Sequence, residues 1–223
     1  MSMIMLACIL VASVLGQAYG LAGAIYEANN YLDTILGVIL PLQVNEAKMT
    51  TIQLPGFTVH HSDGTGALNL TFDSGILVCF GKHCQRLGDC QAAQWRNENI
   101  TTTCHAKLYG MLLLLDGTLE DSNSTIVENV TLILIVRNSS ARIATTERKK
   151  GYAVHLDLSL EQLSLDVLTM GTLTPLPGIP EAVFKKELNL GASAILRRFI
   201  EMEARQGVLR HAFSLIHLPL PQQ

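Results

Sequence analysis

The cysteines are the residues whose spacing most restricts the chemistry of this chain. The sequence has five of them, and Cys8 lies in an apolar N-terminal stretch, which leaves Cys79, Cys84, Cys90 and Cys104 for the rest of the chain. Four cysteines admit three disulfide pairings. A zinc knuckle needs two cysteines separated by two residues, and no pair here has that spacing. The pattern therefore predicts disulfides and no metal site.

Catalytic groups are the second kind of chemistry to consider. A hydrolase needs a nucleophile held by a base and an orienting group. The sequence contains no Gly-x-Ser-x-Gly elbow, no His-Glu-x-x-His helix, no phosphate-binding glycine loop and no dinucleotide fingerprint. His60, His61 and Asp63 are compatible with a metal or acid–base site, but they are more typical of a solvated connection. We therefore predict that the protein is not an enzyme and needs no cofactor.

The composition indicates what the chain can bind. Hydrophobic residues make up 48% of the 223 residues and charged residues 16%, which favours a folded domain. The 16 basic and 19 acidic side chains give a formal net charge of -3, which argues against nucleic acid as a partner. Aromatic residues are only 5%, so the large apolar surfaces must be aliphatic, as in a core or a lipid site. The run Arg148, Lys149, Lys150 is either a charged hairpin tip or a contact for anionic lipid.

The N-terminal residues predict the compartment. Residues 1–20 carry no charge, and their apolar run, 4–15, is too short to span a bilayer core of about 30 Å. Small residues at Ala18 and Gly20 are typical of a signal-peptide cleavage site. We therefore expect a leader over 1–20 and a secreted mature chain, 21–223, that forms a single domain.

Glycosylation motifs point to the same compartment. The sequence has five Asn-x-Ser/Thr sequons. Their asparagines are Asn69, Asn99, Asn123, Asn129 and Asn138. Together with the leader they predict a secreted glycoprotein.

The hydrophobic periodicity predicts the elements that must position these groups. Apolar residues recur at helical spacing over 21–40, with Pro41 expected to end the helix, and again over roughly 184–213, with bends expected at Gly191 and Gly207. Between them the period is two, as in strands with one wet face, except over 109–115 and 130–136. Those two runs are more continuously apolar and predict strands covered on both faces or lying mid-sheet. Polar connections are expected at 116–117, 121–124 and 147–151, which gives an antiparallel meander between two long amphipathic helices.

One local motif resembles a known family. Within 66–90, spaced hydrophobic residues and Gly81 are followed by the run Arg86-Leu87-Gly88-Asp89-Cys90. This run resembles the group-seven mite allergens, in which a basic residue, an aliphatic residue and Gly-Asp close a strand. The order helix, strands, proline-rich break and helix is similar too. Those allergens belong to the tubular lipid-binding superfamily, which includes bactericidal/permeability-increasing protein. The four cysteines and the extra residues around 80–84 depart from the allergen pattern.

The resemblance implies a fold and a function. The fold would be α+β, a single elongated module in which a strongly curved antiparallel sheet wraps around two long helices. A groove between sheet and helices would carry a lipid or another hydrophobic small molecule. The side chains expected to line it are Leu32, Leu36, Ile39, Ile195, Phe199 and Met202. The alternative is a secreted protein-binding or innate-immune recognition module in which these residues pack as a core without lipid.

The same picture suggests a disulfide pairing. Cys90 and Cys104 would face each other on neighbouring strands that flank the connection containing Trp95 and Asn99. Cys79 and Cys84 would then close the extra loop. The sequence does not predict the oligomeric state or the identity of the ligand.

Overall fold

The chain forms one open antiparallel sheet with helices at both ends of the sequence. The computed structural model describes residues 20–63, 66–120, 126–148, 154–169 and 181–221. Within them, eight strands join in a single sheet, and helices precede and follow it. The predicted α+β class and the order helix, strands, helix are confirmed. The predicted leader, apart from its last residue, and Asn123, Lys149 and Lys150 lie outside the described residues.

The N-terminal helix continues past Pro41, so the prediction that it ends there is wrong. It comprises α1 (20–34), a π-helical turn (Ile35–Ile39) and α2 (Leu40–Glu46). The N–H of Leu40 bonds to the carbonyl of Ile35, five residues back. Pro41 therefore lies at the start of α2, where the missing N–H costs little. The π-helical turn before it is wider than an α-helical turn and accommodates the proline ring. In the expected apolar stripe Ala28, Leu32 and Ile35 are buried, as are the neighbouring Leu36 and Leu40, whereas Ile39 is partly buried.

The sheet is organised around one long strand. The strands are β1 (Thr51–Asp63), β2 (Gly66–Val78), β3 (Cys84–Arg86), β4 (Gln94–Arg96), β5 (Asn99–Leu108), β6 (Leu112–Glu120), β7 (Ile126–Arg148) and β8 (Val154–Thr169). The first half of β7 pairs with β6 and its second half with β5, whereas β8 follows its other side. The strands β2 and β1 continue the sheet beyond β6, and β3 and β4 lie beyond β5. Every pairing is antiparallel.

A bulge keeps both halves of β7 facing the same core. Val136 and Ala141 are both buried although an even alternation would put them on opposite faces. The pairing with β8 shifts register between Arg137 and Ala141, which restores the inward phase. Buried Ser139 supports the bulge, because its hydroxyl oxygen accepts the backbone N–H of Ser164 at 3.0 Å.

One sequence expectation about the middle of the sheet is wrong, and the structure decides between the alternatives of another. The predicted connection at 116–117 lies inside β6, where Gly117 pairs with Phe72 of β2. A Cβ there would approach the Phe72 ring to 2.7 Å and would also overlap the backbone of Thr71. The run 130–136 and the part of 109–115 that belongs to β6 do lie mid-sheet, but only one face is fully buried. Their outward side chains, Leu112, Leu114, Ile133 and Ile135, are partly exposed.

The C-terminal helix divides at Gly207, one of the two expected bends. Helix α3 (Glu181–Gln206) is followed by α4 (Val208–Ser214). Gly207 has an extended conformation, and the carboxylate of buried Glu203 accepts the Val208 N–H at 2.7 Å, which caps α4. Gly191, in contrast, lies inside α3 without interrupting it.

Helix α3 contacts both edge strands of the sheet. Gly191 lies against the ring of Phe57 in β1, and Arg197 donates a hydrogen bond of 2.8 Å to the carbonyl of Leu160 in β8. Because β1 and β8 each pair with only one strand, they are the outer strands of the path β1-β2-β6-β7-β8. The helix therefore contacts two strands that are not paired with each other.

Replacing Gly191 by alanine should move α3 away from β1. The new Cβ would lie 2.5 Å from Phe57 Cδ2. Alanine favours a helix by up to about 1 kcal/mol over glycine, but overpacking costs about 1–3 kcal/mol, so we expect a net loss of about 1 kcal/mol in unfolding free energy. Urea denaturation measures this loss. Gly37→Ala is the matched control, because nothing lies within 4 Å of its Cβ, and it should not destabilise the protein. Equal effects of the two substitutions would contradict the close approach.

Candidate apolar binding site

A small apolar cavity lies between the helices and the second half of the sheet. Leu36 and Leu40 of the N-terminal helix line one side, and Ile200, Leu209 and Phe213 of the C-terminal helices line another. The volume open to the centre of a water molecule is about 20 Å³, which is room for about one water. No charged side chain lines this cavity. It is therefore a site that suits an apolar guest better than a polar one.

The sheet leaves this space because two alanines lie side by side on its inner face. Ala106 in β5 and Ala141 in β7 are direct cross-strand partners, and both are fully buried. The next inward position on each strand carries a larger side chain, Leu108 or Ile143, and both of these also line the cavity. Small side chains in adjacent positions cannot fill the space under the helices. The register between β5 and β7 thus creates the cavity.

Two of the side chains predicted to hold a ligand belong to the cavity or its border. Leu36 lines it directly. Phe199 in α3 packs edge-on against Phe80, with 5.2 Å between ring centroids, and Phe80 lines the cavity. These two predicted residues therefore lie on opposite helices at the same apolar site.

The remaining four predicted residues lie elsewhere. Leu32 is buried one turn before Leu36, and Ile39 and Ile195 are partly buried against the core. Met202 is 46% exposed. Sequence reasoning missed Ala106, Ala141 and Phe80; the only available signal was the presence of small residues at inward positions of strands, which no periodicity marks as a site.

Cys84 also lines the cavity, and it is not bonded to Cys79. Both cysteines are free thiols in this structure, so the expected second disulfide is not formed. Cys79 begins the turn after β2 with a φ of 64°, and its carbonyl accepts the Lys82 N–H. Cys84 is part of the cavity lining, whereas Cys79 is not. Burial raises the pKa of the Cys84 thiol to about 12.

The raised pKa predicts slow chemistry at Cys84. Alkylation requires the thiolate, which desolvation disfavours. We expect iodoacetamide near pH 8 to label Cys84 slowly in the native protein and readily in urea, as measured by mass spectrometry of tryptic peptides. Labelling of native Cys84 as fast as in urea would show that the thiol is accessible.

The predicted disulfide between Cys90 and Cys104 is present. Cys90 lies on a segment that runs beside β5. Backbone hydrogen bonds join Leu87 to His105 at 2.7 Å and Gln91 to Thr103 at 2.8 Å, on either side of the bridge. The disulfide therefore links β5 to a segment that lies beside it, as expected, although Cys90 itself is not in a strand.

The motif that carries the family resemblance is fastened to helix α1. Arg86 makes two hydrogen bonds to the Asp33 carboxylate, at 3.0 and 3.1 Å. Asn29 accepts the backbone N–H of Cys90 at 2.8 Å and donates to Asp89 at 2.9 Å. The hydrogen bond to Asp33 also raises the pKa of Arg86. The role of the motif in this structure is to hold the loop beside β5 against the helix.

Removing this ion pair should loosen the loop. The Arg86 and Asp33 side chains are 24% and 48% exposed, so solvent screens the pair, and we expect a coupling energy of about 1 kcal/mol or less. A double-mutant cycle of Asp33→Ala and Arg86→Ala in urea denaturation measures it. Glu27→Ala, also on α1, is the control. Additive effects of the two substitutions would show that the pair contributes nothing.

The sequons differ in their surroundings. Asn129 and Asn138 are exposed, whereas Asn99 and Asn69 are partly buried. Asn69 Oδ1 also lies 2.8 Å from His60 Nδ1 across the β1–β2 pair. His60 is thus a neighbour of a sequon on the sheet surface, and the described residues hold no group of three His, Cys, Asp or Glu side chains that could bind a metal. Asn129 and Asn138 are the most accessible acceptors described.

Neither a family model nor a curated protein matches the chain. Membership of the lipid-binding superfamily therefore stays a prediction from the residues quoted above. Among the described residues, no helix has the length and hydrophobicity needed to cross a bilayer.

Proposed function

We propose that this chain is a secreted, non-catalytic glycoprotein that binds a lipid or another hydrophobic small molecule between the sheet and the helices. The observation that carries the proposal is the apolar cavity. Its walls come from the N-terminal helix, the C-terminal helices and the four strands β3, β5, β7 and β8, so one guest would contact all layers of the fold. Such a site recognises hydrophobic surface and needs no reactive group.

The arrangement of α3 supports a curved sheet around this site. A single helix contacts the two edge strands, β1 and β8, although β2, β6 and β7 lie between them in the sheet. A flat sheet of five strands would separate its edge strands by about 19 Å, nearly twice the diameter of a helix. We infer that the sheet curls around the helix, and that the site lies on its concave side.

The guest would enlarge the cavity as it binds. An acyl chain is much larger than the present volume of about 20 Å³, but each buried methylene contributes about 0.8 kcal/mol to affinity. The edge-on contact of Phe80 with Phe199 is one place where the wall can separate, since Phe80 lies in the turn between β2 and β3. Binding would then exchange packing between side chains for packing against the ligand.

Three features support secretion. The charge-free apolar leader and the five sequons are typical of the secretory route. The disulfide between Cys90 and Cys104 is compatible with an oxidising compartment. The two exposed sequon asparagines, Asn129 and Asn138, would carry the glycans.

The alternative is a secreted protein-binding or recognition module with no bound lipid. The small volume of the cavity favours it, because a core that holds about one water is close to ordinary packing. The two functions differ in one observable, which is whether a hydrophobic molecule leaves the cell with the protein.

Native mass spectrometry separates the two functions. The full chain is expressed in a eukaryotic secretion system, and its mass is measured before and after solvent extraction. The proposal expects a released hydrophobic molecule and displacement of a fluorescent fatty-acid probe by the extract. Absence of both would refute it. A tight protein partner whose binding does not change on delipidation would favour the alternative.

A further inference from the structure

A buried carboxylate holds the C-terminal segment of the chain against the sheet. Glu147, near the end of β7, is 7% exposed, and one of its oxygens accepts the backbone N–H of Leu218 at 2.8 Å. Its other oxygen is hydrogen-bonded to Nδ1 of His217. We call residues 216–221 the strap. The strap therefore binds both oxygens of a carboxylate that lies on the inner side of the sheet.

The strap has little attachment apart from this carboxylate. No backbone–backbone hydrogen bond joins 216–221 to the other residues that the structure describes, and two of its residues are prolines, which have no N–H to donate. Apolar contacts provide the rest, because Leu218 is buried and Ile216 packs against the core. Leu220, two residues beyond Leu218, is 69% exposed. The strap is therefore held around Leu218.

The strap lies at one end of the apolar cavity. Ile143 of β7 lines the cavity, and Glu147 is four residues further along the same strand, or about 13 Å away. Thr145 is the inward residue between them, and its side chain is hydrogen-bonded to Tyr31 of α1. The Tyr31 ring packs edge-on against Phe213, which lines the cavity, with 6.3 Å between centroids. From the cavity outward, the layers are therefore Phe213 with Tyr31, and then Glu147 with the strap.

A buried carboxylate at this place gives the strap two stable arrangements. Taking a carboxylate out of water costs several kcal/mol unless hydrogen-bond donors replace the lost hydration. Glu147 is also close enough to Tyr31 that its charge, after burial, helps to raise the pKa of the Tyr31 hydroxyl above its ordinary value. The strap supplies the donors when it is bound, and water supplies them when it is released. Both arrangements satisfy Glu147, as a two-state element requires.

We propose that the strap is the gate of the apolar site, and that the hydrophobic molecule enters and leaves at the Glu147 end when the strap is released. This inference rests on the proposed function and adds the route to the site. Release removes the outer layer, and Phe213, which is on the same C-terminal segment, then turns away from Tyr31. Enlargement of the cavity at Phe80 is a separate movement of another wall. Glu147 acts as a positioning residue, because it holds the strap and does not contact the guest.

A gate and a wall of the site affect binding differently. A gate that does not contact the guest has the same equilibrium between open and closed whether or not the guest is bound. Loosening it raises the rates of entry and release by the same factor and leaves the dissociation constant unchanged. A change in the wall alters the contacts with the guest and therefore the dissociation constant. The two rate constants together identify the role of the strap.

Stopped-flow fluorescence with a dansyl-labelled fatty acid measures both rate constants on the secreted full chain. Glu147→Gln keeps an oxygen for the Leu218 N–H but removes the charge, and Leu218→Ala removes the apolar anchor of the strap. Each substitution should raise both rate constants at least about threefold and keep the dissociation constant within about twofold of the parent value. Circular dichroism and the thermal midpoint establish that each variant is folded.

Two control variants make the same chemical changes at exposed positions. Glu161→Gln alters a glutamate–histidine pair on the sheet surface, in which Glu161 Oε2 lies 3.2 Å from His105 Nδ1 and both side chains are 41% exposed. Leu220→Ala shortens the exposed leucine of the strap itself. Neither substitution should change either rate constant.

Hydrogen exchange reports release of the strap directly. Glu147 protects the Leu218 N–H while the strap is bound, so mass spectrometry of the C-terminal peptide should find exchange at least about threefold faster in Glu147→Gln. Probe binding with unchanged rate constants in both strap variants would overturn the gate, even with faster exchange, and would leave the proposed function standing. A changed dissociation constant at an unchanged entry rate would also overturn it, because the strap would then be a wall. A parent protein that binds no hydrophobic probe would refute the gate and the proposed function together.

Discussion

The double substitution Cys90→Ala, Cys104→Ala is expected to lower the free energy of unfolding by about 3 kcal/mol. The disulfide closes a loop with a sequence separation of 14, and a crosslink of that length restricts the unfolded chain by about this amount. Both cysteines are also buried, so the substitution removes packing atoms. The loop that it closes carries β4, and Asn29 of α1 binds the backbone of Cys90. Urea denaturation of the oxidised parent and the variant measures the difference.

Cys79→Ala is the control for this experiment. Cys79 is a free thiol in the structure, so its removal should change the unfolding free energy by no more than about 0.5 kcal/mol. Peptide mapping without reduction should find Cys90 linked to Cys104 and the other two cysteines free. A loss of several kcal/mol in Cys79→Ala, with a Cys79–Cys84 peptide in the map, would show that the second disulfide forms in the secreted protein.

Much of the secondary structure could be predicted because periodicity reports burial directly. The alternation from Val154 to Glu161 falls within β8, and the helical stripe before Pro41 faces the core. The end of the first helix was not predictable from Pro41 alone. Proline disfavours the usual helical hydrogen bond, but a π turn places it where no such bond is needed. Sequence periodicity does not reveal a local change in the backbone hydrogen bonds from a spacing of four residues to a spacing of five.

The candidate site was predicted only in outline, for a related reason. Helical spacing placed Leu36 and Phe199 on core-facing stripes, which any helix in this fold would need. The cavity itself depends on Ala106 and Ala141 being neighbours across β5 and β7. Two alanines separated by 35 positions become a site only through the register between β5 and β7, which the alternation within either strand does not reveal.

The hydrogen bonds that hold the family-like motif against α1 could not be predicted from the sequence either. Arg86 and Asp33 are 53 positions apart, and the sequence marks Asn29 and Asp33 only as polar residues on a helix. Their hydrogen-bond partners are known only once the structure places the loop beside β5 against α1. Of the predicted residues, Met202 illustrates the opposite error, since helical spacing extends the apolar stripe to a position that is exposed.

Replacing Ala141 by valine should separate ligand binding from stability. Ala141 lines the cavity and pairs with Ala106, so two added methyl groups would occupy the space that an apolar guest needs. We expect the affinity for a fluorescent fatty-acid probe to fall at least about tenfold, which is a loss of about 1.4 kcal/mol of binding free energy. Valine favours a strand and fills empty volume, so the unfolding free energy should change by no more than about 1 kcal/mol. Probe titration and urea denaturation on the same preparation measure the two effects.

The matched control is Ala144→Val, three residues further along β7. Ala144 faces the outward side of the sheet and is partly exposed, so the same chemical change leaves the cavity untouched. Its probe affinity should equal that of the parent. If Ala141→Val is folded and binds the probe as tightly as Ala144→Val, then the hydrophobic molecule does not occupy this cavity. Of the two residues, only Ala141 lines the cavity. If both substitutions weaken binding equally, the effect is therefore a general change in β7 and not occupation of the cavity.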